Sequence, residues 1–130
     1  MLEDDKMCFV CGEKNPIGLH LDWEFDKKED WLVTSFTPDK KFQGWKDIVH
    51  GGILATVLDE TMANYCVFKG NSVVSVEINV RFKKSALVGK KLVFKGRARQ
   101  LKGKLYESEA ECFQDGELVS SATGKLMEIE

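Results

Sequence analysis

Apolar and polar residues alternate, then cluster, then alternate again along the chain. Leu19, Leu21, Trp23 and Phe25 are separated by His20, Asp22 and Glu24. That period of two predicts a half-buried strand. The stretch DKKED, Asp26 to Asp30, suits a hairpin turn, and Trp31 to Phe36 reads as the partner strand. Thr37 to His50 mixes polarity around Pro38 and Gly44 and predicts a loop. From Gly51 to about Phe68 the rhythm changes. Ile53, Leu54, Ala55, Val57, Leu58, Met62, Ala63, Tyr65, Cys66, Val67 and Phe68 cover most of a helical wheel. A helix apolar nearly all round is a buried one. Gly70 suits its C-terminal cap. Four further strands follow, over residues 72–83, 91–101, 104–113 and 117–129. Short turns at Gly103 and at Gln114–Gly116 predict an antiparallel meander.

The order is therefore two strands, one helix and four strands. An α+β domain in which a curved antiparallel sheet wraps one central helix accounts for that helix's apolarity. One helix cannot cover the whole sheet, and the sheet has edges. Both features favour self-association with a second copy, as a homodimer or a dimer of dimers.

The 130 residues suffice for a single domain, residues 1–130. Residues 1–18 are short-range and turn-rich, with CGEKNPIG at Cys11 to Gly18. A net charge of -2 argues against nucleic acid as a partner. The acidic start MLEDDK is unlike a signal peptide, and no apolar run has the length of a membrane helix. A cytoplasmic protein is expected, with its four cysteines as thiols. Cys8 and Cys11 make only half of a zinc site, so no metal is expected. The N-terminal segment should instead pack as a lid beside a pocket, through Phe9, Val10 and Ile17.

Candidate chemistry centres on FQGWKDIVHGGILATVLDETM, Phe42 to Met62. An acidic pair, Asp59 and Glu60, lies inside the apolar helix, nine residues after His50 in the case of Asp59. Gly51 and Gly52 open the helix, where free N–H groups and the positive dipole end lie. Neither has a side chain to block a ligand approaching the backbone. Eight residues at 1.5 Å put Asp59 roughly 12 Å from Gly51, too far for one small group to touch both within one chain. Asp59 and Glu60 differ by about 100° around the helix, so they cannot point the same way. Arg81, Lys83, Lys84, Lys90 and Lys91 form a basic run. Alternation along a strand puts Arg81 and Lys83 on one side and Lys84 on the other.

IVHGGILATVLDE resembles the helix motif of the hotdog-fold thioesterases of the phenylacetate-pathway type. CFVCGEKNPIGLHL and VSVEINVRFKKSALVG also resemble segments of one subgroup, and the likeness runs from about Cys8 to Met127. The resemblance implies a hotdog fold and hydrolysis of a small or medium acyl- or aryl-CoA thioester. It implies that the Gly51 N–H polarises the carbonyl beside Gly52, and that Asp59 of the neighbouring subunit acts as base or nucleophile. His50 would position the helix start, while Gln43 and Ser75 would assist at the carbonyl or the water. Arg81, Lys83 and Lys84 are candidates for the phosphates of coenzyme A, which enters as part of the substrate; no separate cofactor is expected. Glu60 is then a solvent or interface residue, and His20 an ordinary surface one. The alternatives are an acyl-CoA or small-ligand binding protein without turnover, and a hotdog hydratase or dehydratase using a catalytic His.

Overall fold

A computed structural model describes residues 2–129. Strand β1 (Glu24–Asp26) and strand β2 (Trp31–Phe36) form the first hairpin. Its turn is held by Asp26 Oδ1, which accepts from the Lys28 and Glu29 N–H groups. The predicted first strand is longer than the observed one. Leu19 and Leu21 donate instead to the Phe9 and Val10 carbonyls, so Leu19–Leu21 joins the N-terminal segment, and the Asp22 carbonyl accepts only a side-chain hydroxyl of the sheet, that of Thr34.

The expected loop before the helix carries a small hairpin of its own, β3 (Gln43–Trp45) with β4 (Ile48–Val49). Helix α1 then spans Gly51–Phe68 and ends at Gly70, whose φ of 95° needs no Cβ. Strands β5 (Val73–Phe82), β6 (Leu92–Lys102), β7 (Leu105–Gln114) and β8 (Glu117–Glu128) complete the chain.

The main sheet is fully antiparallel in its pairings and runs β1-β2-β6-β7-β8-β5. Only β6, β7 and β8 form a meander. The four-strand meander fails at β5, which crosses over to pair with β8 at the far edge. Residues 83–91 between β5 and β6 are too many for the tight turn that would keep them neighbours.

The sheet curves around α1. Leu54, Val57, Leu58, Met62 and Cys66 are buried against Leu92, Phe94, Ala110, Cys112 and Leu126. Each fully buried Leu or Phe contributes about 1.5–3 kcal/mol of transfer free energy. This is the hotdog fold. The opposite side of the helix is less covered. Edge strand β5 exposes Val76, Ile78 and Phe82 by 55%, 38% and 56%, an apolar strip beside that helix side. Among the described residues no helix is long and apolar enough to cross a membrane.

Candidate active site

His50 determines how the helix begins. Its extended backbone (φ -60°, ψ 131°) leads into α1, and its Nδ1 accepts the Gly52 N–H at 2.8 Å. The Ile53 and Leu54 N–H groups both reach the His50 carbonyl, at 3.0 and 3.4 Å. The Gly51 N–H is thus left open: among the described residues it makes no hydrogen bond. Phe82 packs over this residue, and a Cβ at position 51 would lie 3.2 Å from the Phe82 Cζ.

A cleft of about 660 Å³ opens at this helix end, lined by Trp45, His50, Gly51, Phe82, Lys83 and Lys84 among others. The expected split between Lys83 and Lys84 does not occur. Strand β5 stops at Phe82, and both lysine N–H groups turn to the Val119 carbonyl, at 2.9 and 3.1 Å. Alternation ends there, so both lysines border the cleft. Arg81 is paired opposite Ser121 and lies outside the cleft lining. Lys84 makes an ion pair with Glu117. Both side chains are mostly exposed, so that pair holds Lys84 only weakly. Trp45, 81% exposed, and Phe82 are cleft residues that the sequence reading did not select. A lone Trp beside Gly44 in a polar loop was the available signal.

Asp59 and Ser75 form a second group. The Ser75 hydroxyl donates to Asp59 Oδ1 at 2.5 Å. Ser75 is aimed there by a bulge in β5, where the register against β8 shifts between Ser75 and Glu77. Neither residue lines the cleft at Gly51. One chain therefore carries an open N–H with two lysines at one place, and a hydrogen-bonded carboxylate two helical turns away.

Gln43 belongs to neither group. Its Oε1 accepts the Asp47 N–H at 3.1 Å and so braces the turn between β3 and β4. Gly52 is occupied by His50 and is not in the cleft lining. His20 is exposed, with Nε2 at 2.5 Å from the Asn15 carbonyl. Glu60 is not a solvent residue: its Oε1 receives the Cys8 and Cys11 thiols, at 3.1 and 3.8 Å. Of the segment expected to act as a lid, Val10 is buried in the core, Phe9 and Ile17 are 38% and 75% exposed, and none lines the cleft. A further groove of about 650 Å³ lies on the outer sheet face. Its arginines are paired with its glutamates, Arg97 with Glu109 and Arg99 with Glu107, and its lining includes no residue of the α1 start.

The architecture is that of a hotdog protein. A sequence profile of the thioesterase superfamily matches residues 46–121, more than half of the chain, and the chain belongs to that superfamily. Acyl-coenzyme A thioesterase 13 of Homo sapiens is 32% identical over 81 residues, which are 61% of this chain and 54% of that protein. Acyl-coenzyme A thioesterase THEM4 of Rattus norvegicus is 27% identical over 96 residues, 74% of this chain and 41% of its own length. The chain thus spans about half the length of the curated relatives it matches. A phenylacetic acid degradation-related protein of Ralstonia eutropha superposes with a TM-score of 0.74 at 25% identity, covering 84% of this chain and 85% of that one.

Proposed function

We propose that this protein is a cytoplasmic acyl-CoA thioesterase acting on a small or medium acyl- or aryl-CoA, with each active site shared between two chains. One observation carries the reading. The first turn of α1 commits its other N–H groups and leaves that of Gly51 open beside Lys83 and Lys84. A thioester carbonyl accepts from that N–H, which gains strength as negative charge grows on the oxygen in the transition state. Such a donor is typically worth about 3–4 kcal/mol of barrier. Lys83 and Lys84 offer charge-assisted hydrogen bonds to the phosphates of coenzyme A.

Asp59 completes the site from the partner chain. As base it takes a proton from the attacking water, the new C–O bond forms as the C–S bond breaks, and that proton passes to the departing thiolate of coenzyme A. As nucleophile it bonds the carbonyl carbon and expels the thiolate, which takes a proton from solvent, and water then hydrolyses the acyl–Asp59 anhydride to release the acid and restore the carboxylate. Ser75 holds the carboxylate in one orientation through its hydroxyl. The exposed strip of Val76, Ile78 and Phe82 on edge strand β5 supports the pairing of chains that such a shared site requires.

Thiol release from short, medium, long and aryl acyl-CoAs tests this. Turnover on one class, reduced at least about a hundredfold by Asp59→Asn with the oligomer intact, is the expected result. Saturable acyl-CoA binding with no turnover would instead make the chain a binding protein. No thiol release, but hydration of a 2-enoyl-CoA that is lost in His50→Ala and retained in Asp59→Asn, would point to a His-dependent hydratase or dehydratase.

A further inference from the structure

Outside the cleft, the N-terminal segment builds a compact sulfur cluster. Gly12 N–H donates to the Cys8 carbonyl at 2.9 Å, closing a turn that brings Cys8 and Cys11 together. Only glycine fits at position 12, because a Cβ there would lie 2.3 Å from the Cys8 nitrogen and 2.6 Å from the Cys8 oxygen. The Val10 N–H, inside this turn, points at the Cys8 sulfur at 3.4 Å. Leu19 and Leu21 then tie the turn to the next segment through the Phe9 and Val10 carbonyls.

Helix α1 supplies the third group. Glu60 Oε1 is 3.1 Å from Cys8 Sγ and 3.8 Å from Cys11 Sγ, and the three donor atoms lie within 4.8 Å of one another. Donors around one tetrahedral zinc, at the usual Zn–S and Zn–O lengths, are roughly 3.5–4 Å apart. All three residues are half-buried. Both thiols converge on a single carboxylate oxygen, an arrangement that wastes donors if they stay protonated and suits a cation if they do not.

The Val10 N–H faces the Cys8 sulfur rather than an oxygen acceptor. A neutral thiol is a weak acceptor, whereas a metal-bound thiolate accepts such a donor well. We infer that Cys8, Cys11 and Glu60 bind one Zn²⁺, with water as the fourth ligand, clipping the N-terminal segment to α1 one residue past Asp59. Two thiolates and one carboxylate select a thiophilic ion over magnesium or calcium. Sequence alone offered half of this site; its third ligand lies 49 residues beyond Cys11.

Cobalt reports thiolate ligation directly, without reference to any activity. The 130-residue chain, kept reduced with a phosphine and titrated with Co²⁺ under argon, should take up one ion per chain. A thiolate-to-cobalt charge-transfer band should appear and be abolished by added Zn²⁺. Cys8→Ser/Cys11→Ser should lose the band, whereas Cys66→Ala/Cys112→Ala should keep it. Glu60→Gln should keep the band but bind roughly tenfold more weakly or worse. Absence of the band in the unmodified chain overturns the assignment, as does its persistence in Cys8→Ser/Cys11→Ser. Equal affinity in Glu60→Gln removes Glu60 from the ligand set and overturns it as well.

Discussion

Gly51 and His50 divide the work of the helix start between them, and substitutions can separate their parts. Proline is well accepted at the first helical position, and His50 already has the extended backbone that a residue before proline adopts. Gly51→Pro therefore removes the open N–H while keeping the helix. Gly51→Ala adds a comparable contact with Phe82 but keeps the N–H, so it controls for crowding. Steady-state kinetics should show kcat reduced about 10²–10³-fold by Gly51→Pro and far less by Gly51→Ala. Equal losses would mean that the space at Gly51 matters and its N–H does not. His50 acts as a cap, and loss of a capping acceptor typically costs about 1 kcal/mol. Thermal unfolding should show that loss in His50→Ala. His50→Asn supplies a new capping oxygen and should recover both stability and turnover; failure of turnover alone would give the imidazole a chemical part.

Buried thiols and a phenol make the helix and its sheet sensitive to alkali. Burial pushes the thiols of Cys66 on α1 and Cys112 on β7 up to about 11 and about 12. Burial, then the hydrogen bond to Asp30, takes the phenol of Tyr65 to about 12. These values lie above the ordinary 9.0 for a thiol and 10.0 for a phenol, so the folded chain holds these protons more tightly than the unfolded one. The stability they contribute is complete below about pH 9 and is lost as pH rises towards 11–12. Unfolding midpoints measured from pH 8 to pH 11 should fall, and fall less steeply in Cys66→Ala/Cys112→Ala; equal slopes would refute it. Elements with a local signal were legible in the sequence. Helix α1 was readable from its wheel and from Gly70, and β2 from its apolar run, because cap and periodicity are properties of neighbouring residues. Partners distant in sequence were not readable. The pairing of β5 with β8, the turn of Lys83 and Lys84 to one carbonyl, and the meeting of Glu60 with the two thiols are all set by packing. The β3–β4 hairpin escaped because strands of three and two residues carry too little periodicity to register.

Across the whole molecule, the proposed shared site brings the open N–H of one chain to the Asp59–Ser75 pair of another. The edge strand that would bring them together is apolar where it is exposed, at Val76, Ile78 and Phe82. Ile78→Lys puts a charge in that strip and should give a folded monomer, by sedimentation and circular dichroism, with thioester hydrolysis lost; an active monomer would show that one chain is sufficient. The most direct test mixes two inactive proteins. Asp59→Asn chains lack the carboxylate and Gly51→Pro chains lack the N–H, so a mixed dimer holds one site with both groups intact. Unfolding and refolding the two together in equal amounts should restore about a quarter of the unmodified activity, since about half of the dimers are mixed and each has one working site of two. Activity no greater than that of the separately refolded variants would place Gly51 and Asp59 in the same chain's site and contradict the shared arrangement.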